Sequence, residues 1–313
     1  MKPWLAALIA ALVMGCTSHP RAATRSDLAI ADPPRHPSHP ARNRQLVIPS
    51  GPVQPALGRP AEMNALFLLA AGEGPKPTLL LLHGLPGNER NLDLAQAVRR
   101  AGWNVLTFTY RGAWGSEGMF STQHAVADTE AALAFLRSQA AVRDYNIDTS
   151  RIVVAGHSMG GYMAARATAR DEAVAGLILL DAWDIAASAR ELNAGGADAR
   201  AAFIAGFDDL GHALGPVTVA DLTDNLMRRG EEWDLAALAG PLARRRVLTV
   251  YATHGGAAEN RTFAQRLASA CAGRADASCP TLTAVELATD HAFADHRIAL
   301  AQLVVRWLEA LDR

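Results

Sequence analysis

The sequence is poor in aromatic residues and cysteines and carries almost no net charge. Aromatic residues make up 6% of its 313 positions, it contains three cysteines, and its formal net charge is −1. A net charge close to zero does not favour binding to nucleic acid or to a strongly charged surface. Because of this charge balance, we expect no nucleic-acid partner. The sequence also has no evident internal repeat, and its 313 residues allow one large domain with an insertion.

The apolar run at residues 4–14 follows Lys2 and is too short to span a bilayer, but it fits the apolar region of a signal peptide. Residues 1–15 are therefore predicted to be a signal peptide. The next motif, V-M-G-C at residues 13–16, resembles the lipobox of bacterial lipoproteins. That resemblance implies cleavage before Cys16, diacylation of its sulfur and a membrane anchor. The alternative is an ordinary signal peptide followed by a chance cysteine.

Thr17 and Ser18 follow in place of an aspartate, which in lipoproteins indicates the periplasmic face of the outer membrane. Residues 16–44 contain five prolines and five arginines and few large apolar groups. Such a segment buries too little surface to offset the entropy of ordering it. We predict a lipidated, disordered tether there, with solvated histidines rather than a metal site.

The rest of the chain, residues 45–313, alternates apolar strand-like runs with helical patterns. Residues 78–82 are continuously apolar, as in a strand buried on both faces of a sheet. Such alternation predicts an α/β fold with a mostly parallel, doubly wound sheet. Strands are predicted at 46–48, 63–69, 78–82, 104–110, 152–155, 175–180, 247–252 and 282–287. Leu300, Val304 and Leu308 lie at four-residue steps on the apolar face of a predicted C-terminal helix.

The motif G-H-S-M-G joins the predicted strand 152–155 to a helix-forming stretch. Gly156 and Gly160 flank Ser158 as G-x-S-x-G, the pattern of a nucleophile elbow between a strand and a helix. A strained turn of this kind tolerates only small residues two positions either side of the serine. Ser158 is therefore the candidate nucleophile, and the alternative is a glycine-rich turn without chemistry.

Four motifs together resemble the α/β-hydrolase superfamily, and most closely its esterase, dienelactone hydrolase and prolyl oligopeptidase branches. They are H-G-L-P-G-N from His83, Y-R-G-A-W-G-S-E-G from Tyr110, G-H-S-M-G-G around Ser158 and D-H-A-F around His291. The resemblance covers residues 46–313. It implies an α/β-hydrolase sheet with His291 as the general base. The other histidines considered, His83, His157 and His254, fit that position less well.

The same resemblance places the oxyanion hole at the backbone N–H groups of Leu85 and Met159. Two donors of this kind stabilise the negative charge of a tetrahedral intermediate. His83 resembles the loop histidine that braces the oxyanion turn, and it is assigned with Trp183 to the substrate pocket. No metal or organic cofactor is implied, and the expected partner is a small-molecule ester or amide.

The acid of the triad is where the sequence departs from the superfamily. Most relatives carry an aspartate just after the strand that is 247–252 here, but the first carboxylate after it is Glu259. Some relatives place the acid one strand earlier, where this chain has Asp181. Asp181 is the first candidate and Glu259 the alternative, with Asp184 and Asp290 below them. An acid in this position would orient the imidazole and stabilise the imidazolium.

A segment without strand-like runs separates Asp181 from residue 247. Helices are predicted at 186–204 and 219–229, which makes residues 183–243 a helical cap. Its aromatic residues either line a pocket above Ser158 or fix the cap to the sheet; they are Trp183, Phe203, Phe207 and Trp233. Cysteine pairs in exported proteins are commonly oxidised, so we expect a disulfide between Cys271 and Cys279 rather than a metal site at this spacing.

The function predicted from the sequence is that of a serine hydrolase cleaving a carboxylic ester or amide through an acyl-enzyme. An esterase is preferred to a peptidase because the residues before 45 are too few for the propeller of the oligopeptidases. The alternatives are a serine peptidase and a non-catalytic binding protein of the cell envelope with the same fold. The missing carboxylate after residue 252 is what supports the non-catalytic alternative.

Overall fold

The computed structural model describes residues 27–273 and 282–311. Its strands are β1 (Arg42–Gln54), β2 (Arg59–Leu69), β3 (Lys76–Leu82), β4 (Asn104–Phe108), β5 (Ile147–His157), β6 (Gly176–Leu180), β7 (Val247–His254) and β8 (Leu282–Asp290). Its helices are α1 (Leu92–Arg100), α2 (Thr122–Arg137), α3 (Gln139–Tyr145), α4 (Met159–Arg170), α5 (Ile185–Gly206), α6 (Val219–Arg229), α7 (Ala239–Leu242), α8 (Ala257–Ala272) and α9 (Arg297–Leu311). Short 3₁₀ turns complete the pattern.

The strands form one sheet in the order β1-β2-β4-β3-β5-β6-β7-β8. β2 is antiparallel to both β1 and β4, whereas every pair from β4 to β8 is parallel. The carboxyl ends of β5, β6, β7 and β8 therefore lie along one edge of the sheet. Loops at that edge are where open parallel sheets carry their functional residues.

Apolar side chains of the central strands alternate between two cores. Leu80 and Leu82 of β3 belong to the core that contains Tyr162 of α4. Leu79 and Leu81 face the opposite core, formed with residues of α1 and α9. Burying one leucine side chain contributes about 1.5–3 kcal/mol, so a strand apolar at successive positions is stable only between two layers of helices. This arrangement confirms the predicted fold class.

The segment between β6 and β7 is helical within the part of the chain that the structure describes. It contains α5, α6 and α7, and α5 is kinked at Gly196, where φ is 59°. Helix α6 begins with a capping box in which Thr218 accepts from the Asp221 N–H and Asp221 accepts from the Thr218 N–H. These helices lie beside the sheet edge that carries the ends of β5 and β6.

The ordered fold begins earlier than the predicted tether ends. β1 starts at Arg42 because its polar first residues pair with β2, with Arg42 opposite Leu69. Ala29 is buried against α1 and α9, and Arg100 Nη2 donates to its carbonyl at 2.6 Å. The boundary predicted at residue 44 is therefore wrong. The predicted signal peptide at 1–15, Cys16 and residues 17–26 lie outside the described residues.

No helix within residues 27–273 and 282–311 combines the length and the apolar character needed to cross a membrane.

Candidate active site

Ser158 lies between the end of β5 at His157 and the start of α4 at Met159. Its backbone has φ 55° and ψ −123°, a conformation that is costly for any residue with a side chain. The flanking glycines make this turn possible, because a Cβ on Gly156 would lie 2.0 Å from the Gly160 carbonyl oxygen. The local sequence G-H-S-M-G thus folds into the strained strand–turn–helix that its spacing predicts.

His291 follows directly after β8, and its imidazole contacts Asp181 at the end of β6. The distance between His291 Nδ1 and Asp181 Oδ2 is 2.5 Å. The Asp181 side chain is fully buried, whereas the His291 side chain is 48% exposed. Since a carboxylate accepts, Nδ1 carries the proton in this contact, which leaves Nε2 as the ring nitrogen able to act as a base.

Backbone N–H groups of the loop after β7 hold the Asp181 carboxylate. Oδ1 accepts from the Ala252 N–H at 3.1 Å, and the Gly256 N–H lies 3.0 Å from Oδ2. A Cβ on Gly255 would lie 2.1 Å from Oδ2, so only glycine fits at that position. The loop after β7 thus supplies hydrogen-bond donors and free space to a carboxylate on the neighbouring strand β6.

The other carboxylates considered from the sequence have different surroundings. Glu259 lies in the first turn of α8 and reaches the wall of the same cavity as Ser158. Asp184 is the N-cap of α5 and accepts from the Ala187 N–H at 3.1 Å, and burial raises its pKa. Asp290 accepts from the Ala294 N–H at 2.8 Å. Of the candidate acids, Asp181 is the one whose carboxylate the structure places against His291.

The loop after β3 passes directly beside Ser158. A Cβ on Gly84 would lie 2.8 Å from Ser158 Cβ, and Leu85 lines the cavity next to Ser158. Met159 is the first residue of α4, so its N–H has no acceptor within the helix. The two predicted oxyanion donors are therefore on residues that lie on either side of the Ser158 side chain.

His83 lies beneath this loop rather than in the substrate pocket, so its predicted place is wrong. It is 1% exposed and is absent from the walls of the cavity at Ser158. Its Nδ1 lies 2.7 Å from the Gly84 carbonyl oxygen, and burial lowers its pKa to about 4. A neutral imidazole donating to that carbonyl fixes the Gly84–Leu85 peptide, whose N–H points away from its C=O.

A cavity of about 400 Å³ opens above Ser158 and His291. Trp183 is part of its wall and is held firmly, because its N–H donates to the Ser158 carbonyl at 2.9 Å and its indole donates to Ser188 Oγ at 2.7 Å. Phe203 and Phe207 of the cap also line it. The fourth aromatic residue proposed for this pocket, Trp233, is instead buried in the core between the cap and the sheet.

Two residues near the site make contacts that the sequence patterns do not indicate. The Trp114 indole donates to the Pro86 carbonyl at 2.8 Å, and the Trp114 N–H donates to Ala213 O at 2.8 Å, which joins the oxyanion loop to the cap. His157, the variable residue of the elbow, lies 2.8 Å through Nε2 from the His291 carbonyl oxygen. The motifs contain both residues, but spacing along the chain gives no signal for either contact.

Cys271 is disulfide-bonded. The predicted partner, Cys279, lies outside the described residues, so its pairing stays a prediction. Within residues 27–273 and 282–311, no group of three or more His, Cys, Asp and Glu side chains is arranged to hold a metal ion.

Comparison with known proteins identifies relatives in sequence and in fold. An alpha/beta hydrolase domain-containing protein, WAV2 of Arabidopsis thaliana, is 35% identical over 120 residues, which is 37% of this chain and 37% of that protein. The match thus spans just over a third of the relative's length.

Two solved structures share the fold at low sequence identity. The thermostable carboxylesterase EstE1, cloned from a metagenomic library, has a TM-score of 0.57 at 19% identity, covering 92% of this chain and 93% of its own. The acylaminoacyl peptidase of Pyrococcus horikoshii has a TM-score of 0.58 at 14% identity, covering 86% of this chain and 41% of its own. The model of the alpha/beta hydrolase family matches residues 79–310, which include Ser158, Asp181 and His291. The chain belongs to the alpha/beta hydrolase family.

Proposed function

We propose that the protein is a serine hydrolase that cleaves a carboxylic ester, or an amide, through an acyl-enzyme. The observation that carries the proposal is the contact between His291 and the buried Asp181 in the wall of the cavity that also contains Ser158. A serine hydroxyl is a poor nucleophile unless a neighbouring base takes its proton. A histidine held by a buried carboxylate supplies that base.

In the proposed mechanism, Ser158 Oγ attacks the carbonyl carbon of the substrate while His291 Nε2 takes the hydroxyl proton. The imidazolium that forms is stabilised by the Asp181 carboxylate, which accepts hydrogen bonds from the backbone N–H groups of Ala252 and Gly256. The N–H groups of Leu85 and Met159 stabilise the oxyanion. His291 then returns the proton to the leaving group, and water activated by the same base hydrolyses the acyl-enzyme.

The cavity favours a small-molecule substrate. Its volume of about 400 Å³ is in the range of small-ligand sites, and its apolar lining comes from Leu85, Trp183, Phe203 and Phe207. We propose an ester as the substrate, with peptide hydrolysis as the alternative to be excluded. The contact between Asp181 and His291 favours the catalytic proposal over the non-catalytic alternative, which rests on the missing carboxylate after β7.

Labelling with a fluorophosphonate probe tests the nucleophile. The wild-type protein is expected to be labelled and Ser158→Ala is not. Ser188→Ala is the matched control, since Ser188 also lines the cavity but donates no proton to His291 in the mechanism. A folded wild type that resists the probe would overturn the proposal. Hydrolysis of p-nitrophenyl esters of increasing acyl length, beside a p-nitroanilide, then defines the substrate.

We also propose export and lipid anchoring through Cys16, which rest on the V-M-G-C motif alone. Expression in a bacterium with labelled palmitate tests this proposal. Label on the wild type and its loss in Cys16→Ser are expected, with Cys271→Ser as the control that keeps the label. Unlabelled protein in the soluble fraction would show that the motif is not processed.

A further inference from the structure

His157 precedes the nucleophile in the chain, and its side chain lies beneath the catalytic histidine. It is the last residue of β5 and is 5% exposed. Its Nε2 lies 2.8 Å from the carbonyl oxygen of His291, and the two imidazole rings are 4.7 Å apart between centroids, tilted by 39°. His157 thus contacts both the backbone and the ring of the residue proposed as the base.

The surroundings of His157 determine which of its nitrogens carries the proton. Burial and the neighbouring His291 lower its pKa to about 4, so the ring is neutral at physiological pH. Nε2 faces a carbonyl and must donate, and Nδ1 is buried without a hydrogen-bond partner among the described residues. The titratable and charged groups that act on it are His291, Asp181 and Arg297.

We propose that His157 is a positioning residue that holds the backbone and ring of His291 in the orientation needed for proton transfer with Ser158. This inference rests on the proposed function. The His291 side chain is 48% exposed, so the surrounding protein encloses only part of the ring. Its orientation therefore depends on Asp181 at Nδ1 and on His157 below.

The carboxyl end of β5 thus positions both Ser158 and His291. Ser158 is fixed by the elbow, and His157, the residue before it, fixes His291 through the loop after β8. A displacement of β8 or of its loop relative to β5 is resisted at this hydrogen bond. A misplacement of about 1 Å can lower a catalytic rate by about 100-fold, so such a restraint is of catalytic consequence.

The opposing interpretation is that His157 only fills the core beneath the loop. Two substitutions separate these roles: His157→Leu fills the space without a donor, and His157→Gln keeps an N–H donor. Tyr162→Phe is the matched control, since Tyr162 is a buried α4 residue whose hydroxyl has no hydrogen-bond partner among the described residues. Melting temperature is measured for each variant to confirm folding.

We expect His157→Leu to lower kcat for a p-nitrophenyl ester by about 10- to 100-fold. KM should change by less than about twofold, because the interaction acts on the reacting groups and not on substrate binding. His157→Gln should recover most of kcat, and Tyr162→Phe should match the wild type. A His157→Leu protein that melts lower but keeps its kcat would show that His157 is only a core residue.

A second readout does not require turnover. The proton between His291 Nδ1 and Asp181 gives a deshielded signal in the ¹H NMR spectrum, and its exchange with solvent reports how firmly the ring is held. Faster exchange in His157→Leu, but not in His157→Gln or Tyr162→Phe, is expected even if the wild type fails to react with a fluorophosphonate. Unchanged exchange would overturn the inference without affecting the proposed function.

Discussion

Asp181 Oδ2 lies 2.5 Å from His291 Nδ1, although 110 residues separate the two in sequence. The contact joins the end of β6 to the residue after β8, across the intervening strand β7. The loop after β7 contributes to it through the N–H groups that hold the carboxylate. Three successive strand ends therefore cooperate in placing one imidazole.

Neutralising Asp181 is expected to remove most of the activity. Asp181→Asn should lower kcat for ester hydrolysis by about 10⁴, because an amide does not stabilise the imidazolium or select the tautomer. Glu259→Gln is the control, since Glu259 lines the same cavity and was the alternative acid. If Glu259→Gln loses more activity than Asp181→Asn, the assignment of the acid is wrong.

A methyl group on Gly255 is expected to disturb the acid without touching the nucleophile. Its Cβ would lie 2.1 Å from Asp181 Oδ2, so the carboxylate or the loop must move. We expect Gly255→Ala to lower kcat by about 100-fold. Gly240→Ala should leave kcat unchanged, because no atom lies within 4 Å of its added Cβ. Equal rates in the two variants would contradict a rigidly held carboxylate.

Removing the N–H donor of His83 should weaken the proposed oxyanion hole. In His83→Phe the Gly84 carbonyl loses its donor, so the Leu85 N–H is no longer fixed. Loss of one oxyanion donor lowers kcat by about 10²–10³, which is the upper limit expected here. His124→Phe is the control, because His124 Nδ1 also contacts a carbonyl, that of Met119 at 2.7 Å, away from the cavity. Full activity of His83→Phe would exclude the bracing role.

Breaking the buried Arg111–Asp128 ion pair is expected to lower the free energy of unfolding far more than breaking an exposed ion pair. Both side chains are fully buried, and Arg111 Nε donates to Asp128 Oδ1 at 2.6 Å. Asp128→Asn leaves a buried guanidinium without its counter-charge, which costs about 3–5 kcal/mol of unfolding free energy. Glu232→Gln, which breaks the exposed pair with Arg229, should cost much less, because water already solvates both charges. Urea denaturation measures both, and equal costs would contradict this ranking.

Stability should fall on acidification from pH 7 towards pH 4. Burial lowers the pKa of both His83 and His157 to about 4 in the folded protein, against 6.5 for the exposed group. The unfolded chain therefore binds more protons between these values, and the stabilisation present above pH 6.5 is lost as the pH falls. The loss approaches about 3 kcal/mol for each histidine.

The test is the slope of the unfolding free energy against pH. His157→Gln removes one of the two groups, so its slope between pH 6.5 and pH 4.5 should be shallower than that of the wild type. Tyr162→Phe should keep the wild-type slope. Parallel curves for the wild type and His157→Gln would show that folding does not lower the pKa of His157.

Much of the fold followed from local patterns. The continuous apolar run of β3 and the G-x-S-x-G turn are encoded within a few residues each, because burial on two faces and a crowded turn each restrict side-chain type locally. The position of His291 followed from its place between the last strand and the last helix, together with the family resemblance. The predicted start of the domain at residue 45 was wrong because antiparallel pairing with β2 orders polar residues that have no apolar pattern of their own.

The sequence by itself determined the sheet, the elbow and the pair of residues proposed as nucleophile and base, since each depends on short-range periodicity or on a compact motif. Tertiary structure alone decided which carboxylate meets His291, that His83 lies under the loop after β3, and that His157 contacts His291. Those contacts join residues on different strand ends, and their distances depend on how β5, β6, β7 and β8 are ordered in the sheet. No pattern along one segment of chain contains that information.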